Sequence, residues 1–183
     1  MTHHFGAAAL GAALCFASAA GCNDAPEIAT ADLHDLSGRR IGTAHLRSTD
    51  EGILVTVDAD SLPPGEHGFH VHEHGACELP GFESAGTHFN PTDVHHGLAH
   101  GAEHAHAGDM LNLHVDASGR VVAHRVIVGA TMDAGDEESS DSLLREGGTA
   151  LVIHAAPDDY VSDPAGASGP RIACGVIEGR TRT

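Results

Sequence analysis

The chain of 183 residues contains no lysine, so its nine strongly basic side chains are all arginines. Against them stand 26 Asp and Glu residues, which give a formal net charge of −17. Proteins that bind nucleic acid gain much of their affinity by neutralising phosphates with lysine and arginine. The charge balance therefore excludes a general nucleic-acid-binding protein.

Aromatic residues are scarce too, with no tryptophan, one tyrosine and five phenylalanines. The hydrophobic core must therefore be built mainly from Val, Ile, Leu and Ala. Apolar and polar residues alternate around Ile53, Val55 and Val57, and again through the segment 111–115, where Leu and Val alternate with polar residues. Gly, Asp and Pro separate such segments. Short alternating strands with these turns predict a single domain with an antiparallel β-sandwich or barrel.

Long hydrophobic runs are absent beyond the N-terminus, so no permanent transmembrane helix is expected in the mature chain. Residues 5–20 are rich in Ala, Leu, Phe and Gly and end in small residues before Cys22. We interpret 1–21 as an export signal and 22–28 as a short tether. The small residues also resemble a lipoprotein box, which makes Cys22 a lipidation candidate. The alternative is an ordinary secretory signal cut near the same place.

Histidine, by contrast, is abundant at 17 residues, and six of them recur with one aspartate in separated motifs. These residues are His70, His72, His88, His96, His106, Asp109 and His154. Imidazole suits copper and zinc, whereas a set with one carboxylate does not suit Mg or Ca. The pair in HVH alone favours two exposed polar residues, but the whole set favours two metal sites that share a ligand. Most of the set lies in or beside two irregular stretches, 73–107 and 156–170, and long ordered loops are usually functional.

The motifs GFHVHEHGACE, SAGTHFNP, HAGD, LVIHAAPDD and GPRIACGVI follow one another between Gly68 and Ile177. Together they resemble copper/zinc superoxide dismutase of the bacterial exported type. The resemblance implies an eight-stranded antiparallel Greek-key β-barrel or sandwich with two long functional loops, here over residues 29–180. It also implies export to the bacterial periplasm or cell envelope, as a monomer or homodimer, with membrane attachment only through a lipid on Cys22.

The resemblance further implies an enzyme that converts superoxide to molecular oxygen and hydrogen peroxide, with copper and zinc as cofactors. Copper would redox-cycle, and a histidine would bridge it to a structural zinc. The implied copper ligands are His70, His72, His88 and His154. The implied zinc ligands are His88, His96, His106 and Asp109, so that His88 binds both metals.

Neighbouring histidines compete for two of these zinc positions. His95 adjoins His96, which we prefer because it precedes Gly97. His104 lies near His106, which we prefer because it begins the HAGD motif. Additional histidines crowd the same stretch and are either solvated or able to bind extra metal: His74, His95, His100 and His104.

The remaining roles also follow from the resemblance. Arg171, catalytic together with His88, would attract and orient the anion, and no lysine in 158–170 assists it. Asp158 would support the ligands of both metals from behind, and His67 would hold the outer loop by hydrogen bonds. Cys77 and Cys174 would form a disulfide, which suits an oxidising compartment.

A second function is consistent with these residues, namely a copper- or zinc-binding protein of the same fold that buffers metals without catalysis. The additional histidines favour it. The complete ligand set, together with Arg171 and Asp158, favours the enzyme, because storage needs neither an anion guide nor a bridging imidazole.

Overall fold

The computed structural model describes Met1 and residues 28–133 and 140–179. Within these residues the regular structure consists of β-strands and three single 3₁₀ turns, at Glu83–Ala85, Leu98–His100 and Ala102–His104. The strands are β1 (Ile28–Asp35), β2 (Arg40–Thr49), β3 (Gly52–Ala59), β4 (Gly65–His67), β5 (Phe69–His72), β6 (Leu113–Val115), β7 (Val121–Ile127), β8 (Ala150–His154), β9 (Arg171–Val176) and β10 (Glu178–Gly179). In the described part of the chain, no helix has the length and apolar character needed to cross a membrane.

The strands are antiparallel and run side by side in the order β5-β8-β9-β1-β2-β3-β7, with β10 on β1 and a separate pair formed by β4 and β6. Only Gly68 separates β4 from β5, where one extended run changes pairing partner. A Cβ on Gly68 would lie 2.8 Å from the Cβ of Ser168, so glycine permits this close approach. With β4 and β5 counted as one strand and the two-residue β10 set aside, the predicted eight-stranded antiparallel fold is confirmed.

The core is aliphatic, as the composition predicts. In β3 the side chains of Ile53, Val55 and Val57 are buried and alternate with residues that face outward. The neighbouring strand supplies Leu46 opposite Val55, and only a few phenylalanines, such as Phe69, join the cluster. Each fully buried aliphatic side chain contributes roughly 1.5–3 kcal/mol through removal of apolar surface from water.

The segment before β6 departs from the predicted alternation. Leu111 lies outside the strand with 56% of its surface exposed. Its carbonyl oxygen accepts a hydrogen bond of 2.8 Å from Nε of Arg125 rather than from a neighbouring strand. At this position a side-chain hydrogen bond takes the place of a backbone hydrogen bond between strands.

Two long connections carry most of the predicted ligands, residues 73–112 between β5 and β6 and residues 155–170 between β8 and β9. A disulfide joins Cys77 in the first connection to Cys174 in β9, with 5.7 Å between their Cα atoms. Apart from Met1, the predicted export signal 1–21 lies outside the described residues, as does Cys22. The domain bounds 29–180 stay a prediction.

Candidate metal centre

Strand β5 organises the site because two loop segments pair with it. His72 lies opposite His88, and His70 lies opposite Asp109, as isolated antiparallel pairs. The backbone N–H of Val71 donates to the carbonyl of Gly108 at 2.9 Å on one of these segments. Since residues i and i+2 of a strand point the same way, His70 and His72 both face the loops. Residues distant in sequence are thereby brought side by side.

The first group consists of four buried histidines, which we call the four-histidine group: His70, His72, His88 and His154. Their ligand atoms all lie within 4.8 Å of one another. His154 comes from β8, which pairs directly with β5. Its Nε2 lies 3.3 Å from Nε2 of His72. Four imidazole nitrogens converging in this way form a set that suits copper or zinc.

Hydrogen bonds fix which nitrogen of each ring points into the four-histidine group. Nδ1–H of His72 donates to the carbonyl of Gly86 at 2.9 Å, and Nδ1–H of His154 donates to the carbonyl of Gly169 at 3.0 Å. Nε2–H of His70 donates to Asp158 at 2.8 Å. Carbonyl and carboxylate oxygens only accept, so in each neutral ring the opposite nitrogen keeps its lone pair. Nδ1 of His70 is buried without any hydrogen-bond partner, as expected of a metal-binding nitrogen.

The second group, the aspartate group, is also buried and contains His88, His96, His106 and Asp109. Oδ2 of Asp109 lies 3.0 Å from Nδ1 of His96 and accepts the backbone N–H of Gly97 at 2.9 Å. Gly97 has φ of 111°, and a Cβ there would lie 2.1 Å from the carbonyl oxygen of Tyr160. Three nitrogens and one carboxylate match the ligands of a structural zinc.

His88 belongs to both groups. Its Nδ1 lies 2.8 Å from Oδ1 of Asp109, on the side of the aspartate group. Its Nε2 is buried and has no hydrogen-bond partner. The centroid of its ring lies 4.0 Å from that of His70. One imidazole thus presents a nitrogen to each group.

Asp158 connects the two groups from the opposite side. Its Oδ2 accepts from Nε2–H of His70 at 2.8 Å, and its Oδ1 accepts from Nε2–H of His96 at 3.0 Å. Burial acts to raise the pKa of Asp158, but these hydrogen bonds hold it well below the usual range. A buried carboxylate that accepts from two metal-facing imidazoles orients their rings and increases their basicity.

The pKa values distinguish the two groups. Burial lowers the pKa of both His88 and His154 to about 4, so these rings are neutral near pH 7. Burial also acts to lower the pKa of His96, but hydrogen bonds to Asp109 and Asp158 raise it to about 9. Without metal, His96 is therefore a cation between two carboxylates. A divalent cation in the aspartate group would take the place of that proton.

Arg171 begins β9 and extends toward the loop that follows β5. Its guanidinium donates to the carbonyls of Phe82 and Gly86 and is partly buried. The carbonyl of Gly86 also accepts the hydrogen bond from His72, so Arg171 and a member of the four-histidine group contact the same oxygen. The structure therefore places a cation beside this group.

The competing histidines lie at the surface. The His95 side chain is 92% exposed and pairs with Asp163, and that of His104 is 69% exposed beside Glu103. His74 is also exposed, and His100 ends a 3₁₀ turn. Within residues 28–133 and 140–179 no third group of converging metal-ligating side chains occurs.

His67 lies behind the four-histidine group. Its Nδ1 lies 2.7 Å from the carbonyl oxygen of His154, and its Nε2 lies 2.7 Å from that of Pro63. The ring thereby ties the loop before β4 to the end of β8.

The sequence did not reveal two residues that contact Asp158, namely Asn112 and Tyr160. Asn112 occurs in the sequence only as a polar residue within an alternating segment. Its contact partner is 46 residues away, so no local pattern could indicate the contact.

Comparison with known proteins agrees with this geometry. The sequence profile described as copper/zinc superoxide dismutase matches residues 40–177. The chain belongs to the copper/zinc superoxide dismutase family. Copper and zinc are the metals of this family, and the two groups of buried ligands fit them.

Curated relatives of the family lie at substantial identity. Superoxide dismutase [Cu-Zn] 1 of Aquifex aeolicus is 48% identical over 149 residues, which cover 81% of this chain and 86% of the relative. The superoxide dismutase-like protein YojM of Bacillus subtilis is 42% identical over 78% of this chain and 71% of its own length.

Solved structures show the same fold. A superoxide dismutase-like protein from Bacillus subtilis aligns with a TM-score of 0.74 at 37% identity, covering 81% of this chain and 97% of its own. The Cu/Zn superoxide dismutase from Brucella abortus aligns with a TM-score of 0.64 at 31% identity, covering 83% of this chain and all of its own. This chain is therefore placed among oxidoreductases of the superoxide dismutase fold.

Proposed function

We propose that this protein catalyses superoxide dismutation, in which two superoxide ions and two protons become molecular oxygen and hydrogen peroxide. The observation that carries the proposal is the position of His88, which presents one nitrogen to the four-histidine group and the other to the aspartate group. Copper bound by the four histidines would supply one-electron chemistry, and zinc in the aspartate group would have a structural role.

The four-histidine group is suited to a redox metal because its rings are neutral. Burial keeps the pKa of His88 and His154 at about 4, so protons do not compete for these nitrogens near pH 7. Each nitrogen that faces the group is set by a hydrogen bond from the other side of its ring. The ligands are therefore oriented before any metal arrives, which reduces the cost of binding.

His88 is assigned a second task, that of holding a proton. Its Nδ1 stays oriented by the aspartate group, while its Nε2 has no protein partner. If Nδ1 binds a cation in the aspartate group, the neutral His88 ring would carry its one proton on Nε2 and could give it to the product peroxide. A fixed ring at hydrogen-bond distance from the reacting anion is what general acid catalysis needs.

Arg171 is assigned the attraction and orientation of superoxide. The net charge of −17 repels anions, so a local cation beside the four-histidine group must dominate the field there. The guanidinium is held by the Phe82 and Gly86 carbonyls, which fix the orientation of its N–H groups. Its planar geometry also suits a small anion.

Asp158 and His67 are assigned supporting roles. Asp158 would orient His70 and His96 and thereby couple the two groups. His67 would keep the carbonyl end of His154 in place through its bond to the loop at Pro63. Neither residue contacts the anion in this proposal.

Export is part of the proposal. Residues 1–21 would be removed as a signal, Cys22 would carry lipid, and 22–28 would tether the domain 29–180 to the envelope. The Cys77–Cys174 disulfide supports an oxidising compartment such as the periplasm. The mass of the mature protein tests this directly, since a diacylated Cys22 and an unmodified cut terminus differ by several hundred daltons.

Metal buffering is the second candidate function. Exposed histidines near the aspartate group, including His95 and His104, favour it, as does a relative named only superoxide dismutase-like. Buffering would not need a shared imidazole or a cation held beside the four-histidine group. These two features favour the enzyme.

One experiment separates the two functions. The chain is expressed in an oxidising compartment and loaded with copper and zinc, and metal content and superoxide consumption are measured on the same sample. One copper and one zinc per chain with many turnovers per copper, blocked by cyanide, is the expected result. Several metals per chain with at most one superoxide consumed per copper would replace dismutation by buffering.

A further inference from the structure

The side-chain amide of Asn112 contacts the backbone of Asp158 on both sides. Its Nδ2–H donates to the carbonyl oxygen of Asp158 at 3.0 Å. Its Oδ1 accepts the backbone N–H of Asp158 at 2.9 Å. An amide can donate and accept at once, whereas a carboxylate of the same size cannot donate. The main chain of Asp158 is therefore fixed by a residue 46 positions earlier in the chain.

Asn112 is itself anchored. Its backbone N–H donates to the hydroxyl of Tyr160 at 2.9 Å, and its carbonyl accepts from the guanidinium of Arg125 in β7. Tyr160 in turn donates its backbone N–H to Oδ1 of Asp158 at 2.6 Å. The backbone of Tyr160 lies in the left-handed region with φ of 63°, a conformation uncommon outside glycine. The contacts form a closed set between the barrel wall and Asp158.

We propose that Asn112 and Tyr160 are positioning residues for Asp158, and through it for His70 and His96. The carboxylate must satisfy two imidazoles with two different oxygens, at 2.8 Å and 3.0 Å. A small rotation or shift that improves one of these bonds lengthens the other. The amide of Asn112 prevents this shift because it holds the residue at both its N–H and its carbonyl.

This inference rests on the proposed function, since it treats His96 as a zinc ligand. It assigns Asn112 an effect on metal retention that reaches the aspartate group only through the Asp158 carboxylate. A purely structural role for Asn112, in which it holds the loop 155–170 in place, would not depend on that carboxylate. The two roles are separated by a double-mutant cycle.

The experiment measures the rate at which zinc leaves the fully loaded protein into an excess of a colorimetric chelator. Loss of a residue that orients a metal ligand typically weakens metal binding by roughly 10–100-fold. Asn112→Ala is expected to release zinc about 10-fold faster than the wild type, and Asp158→Ala faster still. The double variant is expected to match Asp158→Ala alone. The proposal would be overturned if Asn112→Ala released zinc at the wild-type rate. It would also be overturned if the double variant released zinc faster than Asp158→Ala by the same factor that Asn112→Ala shows alone.

Two further variants guard against a general loss of stability. Tyr160→Phe removes one hydroxyl and is expected to accelerate zinc release to a smaller extent, with no additional effect when Asp158 is already Ala. Val55→Ala opens a cavity in the core of β3 and is the matched control. If Val55→Ala releases zinc as fast as Asn112→Ala, weakened packing explains the result and the positioning role is wrong.

Cobalt(II) in place of zinc gives an independent readout, because its visible absorption depends on ligand geometry. Asn112→Ala is expected to change the intensity of these bands, whereas Val55→Ala leaves the spectrum unchanged. A wild-type protein that retains no zinc would refute the proposed function and this inference together. If the wild-type protein retains zinc and Asn112→Ala retains it equally well, this inference is refuted and the proposed function is not.

Discussion

Arg171 and His72 donate hydrogen bonds to the same acceptor, the carbonyl oxygen of Gly86. One residue is the proposed anion guide and the other a proposed copper ligand. The shared carbonyl lies in the loop that the Cys77–Cys174 disulfide attaches to β9. The position of the guide, the orientation of the ligand and the disulfide are therefore expected to depend on one another.

The first prediction concerns the disulfide. The paired substitution of Cys77→Ser and Cys174→Ser opens a loop with a sequence separation of 97 residues. Chain-entropy estimates assign such a loop roughly 4–5 kcal/mol of stability. We also expect lower activity, because the carbonyls of Phe82 and Gly86 no longer hold Arg171. Urea unfolding and superoxide consumption of the wild type and the variant measure both effects. Unchanged activity would show that the disulfide is not needed to position Arg171.

The second prediction concerns the guide itself. Arg171→Ala should lower superoxide consumption by roughly 10-fold or more, the usual size of local electrostatic steering. Copper and zinc content should stay at the wild-type level, since Arg171 is not a ligand. Arg47→Ala, on the exposed face of β2, is the control for loss of one positive charge. Equal effects of the two substitutions would remove Arg171 from the mechanism.

The third prediction separates the shared histidine from a neighbour. His88→Ala should lower the affinity for both metals, because it removes a nitrogen from each group. His95→Ala removes an exposed ring that pairs with Asp163 and should leave metal content and activity unchanged. Competition with a chelator, followed by metal analysis of the protein, measures both variants. Retention of one copper and one zinc by His88→Ala would contradict the assignment.

The fourth prediction concerns the metal-free protein and pH. His88 and His154 have pKa values of about 4 in the folded state, below the ordinary value of 6.5. As pH falls from 6.5 to 4, these histidines take up protons in the unfolded chain but stay neutral in the folded chain. The free energy of unfolding therefore falls by roughly 1–3 kcal/mol per histidine.

His96 acts in the opposite direction. Its folded pKa of about 9 contributes stability that is complete below pH 6.5 and is lost as pH rises through 9. The thermal unfolding midpoint of the metal-free protein should therefore be highest near pH 6.5 and fall on both sides. A midpoint that stays constant from pH 4 to 6.5 would show that burial does not keep these histidines neutral.

The sequence predicts features that repeat or that lie in motifs. The alternation of Ile53, Val55 and Val57 has one physical cause, burial of one face of a strand, and the structure follows it. The antiparallel β fold followed from this alternation and its turns, and the family followed from the order of the motifs. These features are local in sequence, so they can be found without coordinates.

The features that the sequence did not predict involve the backbone or distant partners. Every residue has a backbone carbonyl, so the sequence does not indicate that the carbonyl of Gly86 is a shared acceptor. Asn112 contacts Asp158, which lies 46 residues later in the chain. Leu111 was expected in a strand, but Arg125 takes its carbonyl and the side chain stays exposed. Each case depends on a contact set by the whole fold.

The most direct test of the shared His88 uses copper in both groups. If the two nitrogens of one imidazole join two copper(II) ions, their unpaired electrons couple antiferromagnetically through the ring. The electron paramagnetic resonance signal at low temperature should then be much weaker than that of two independent copper(II) ions. A signal with the full intensity of two uncoupled ions would contradict the shared ligand on which the proposed function rests.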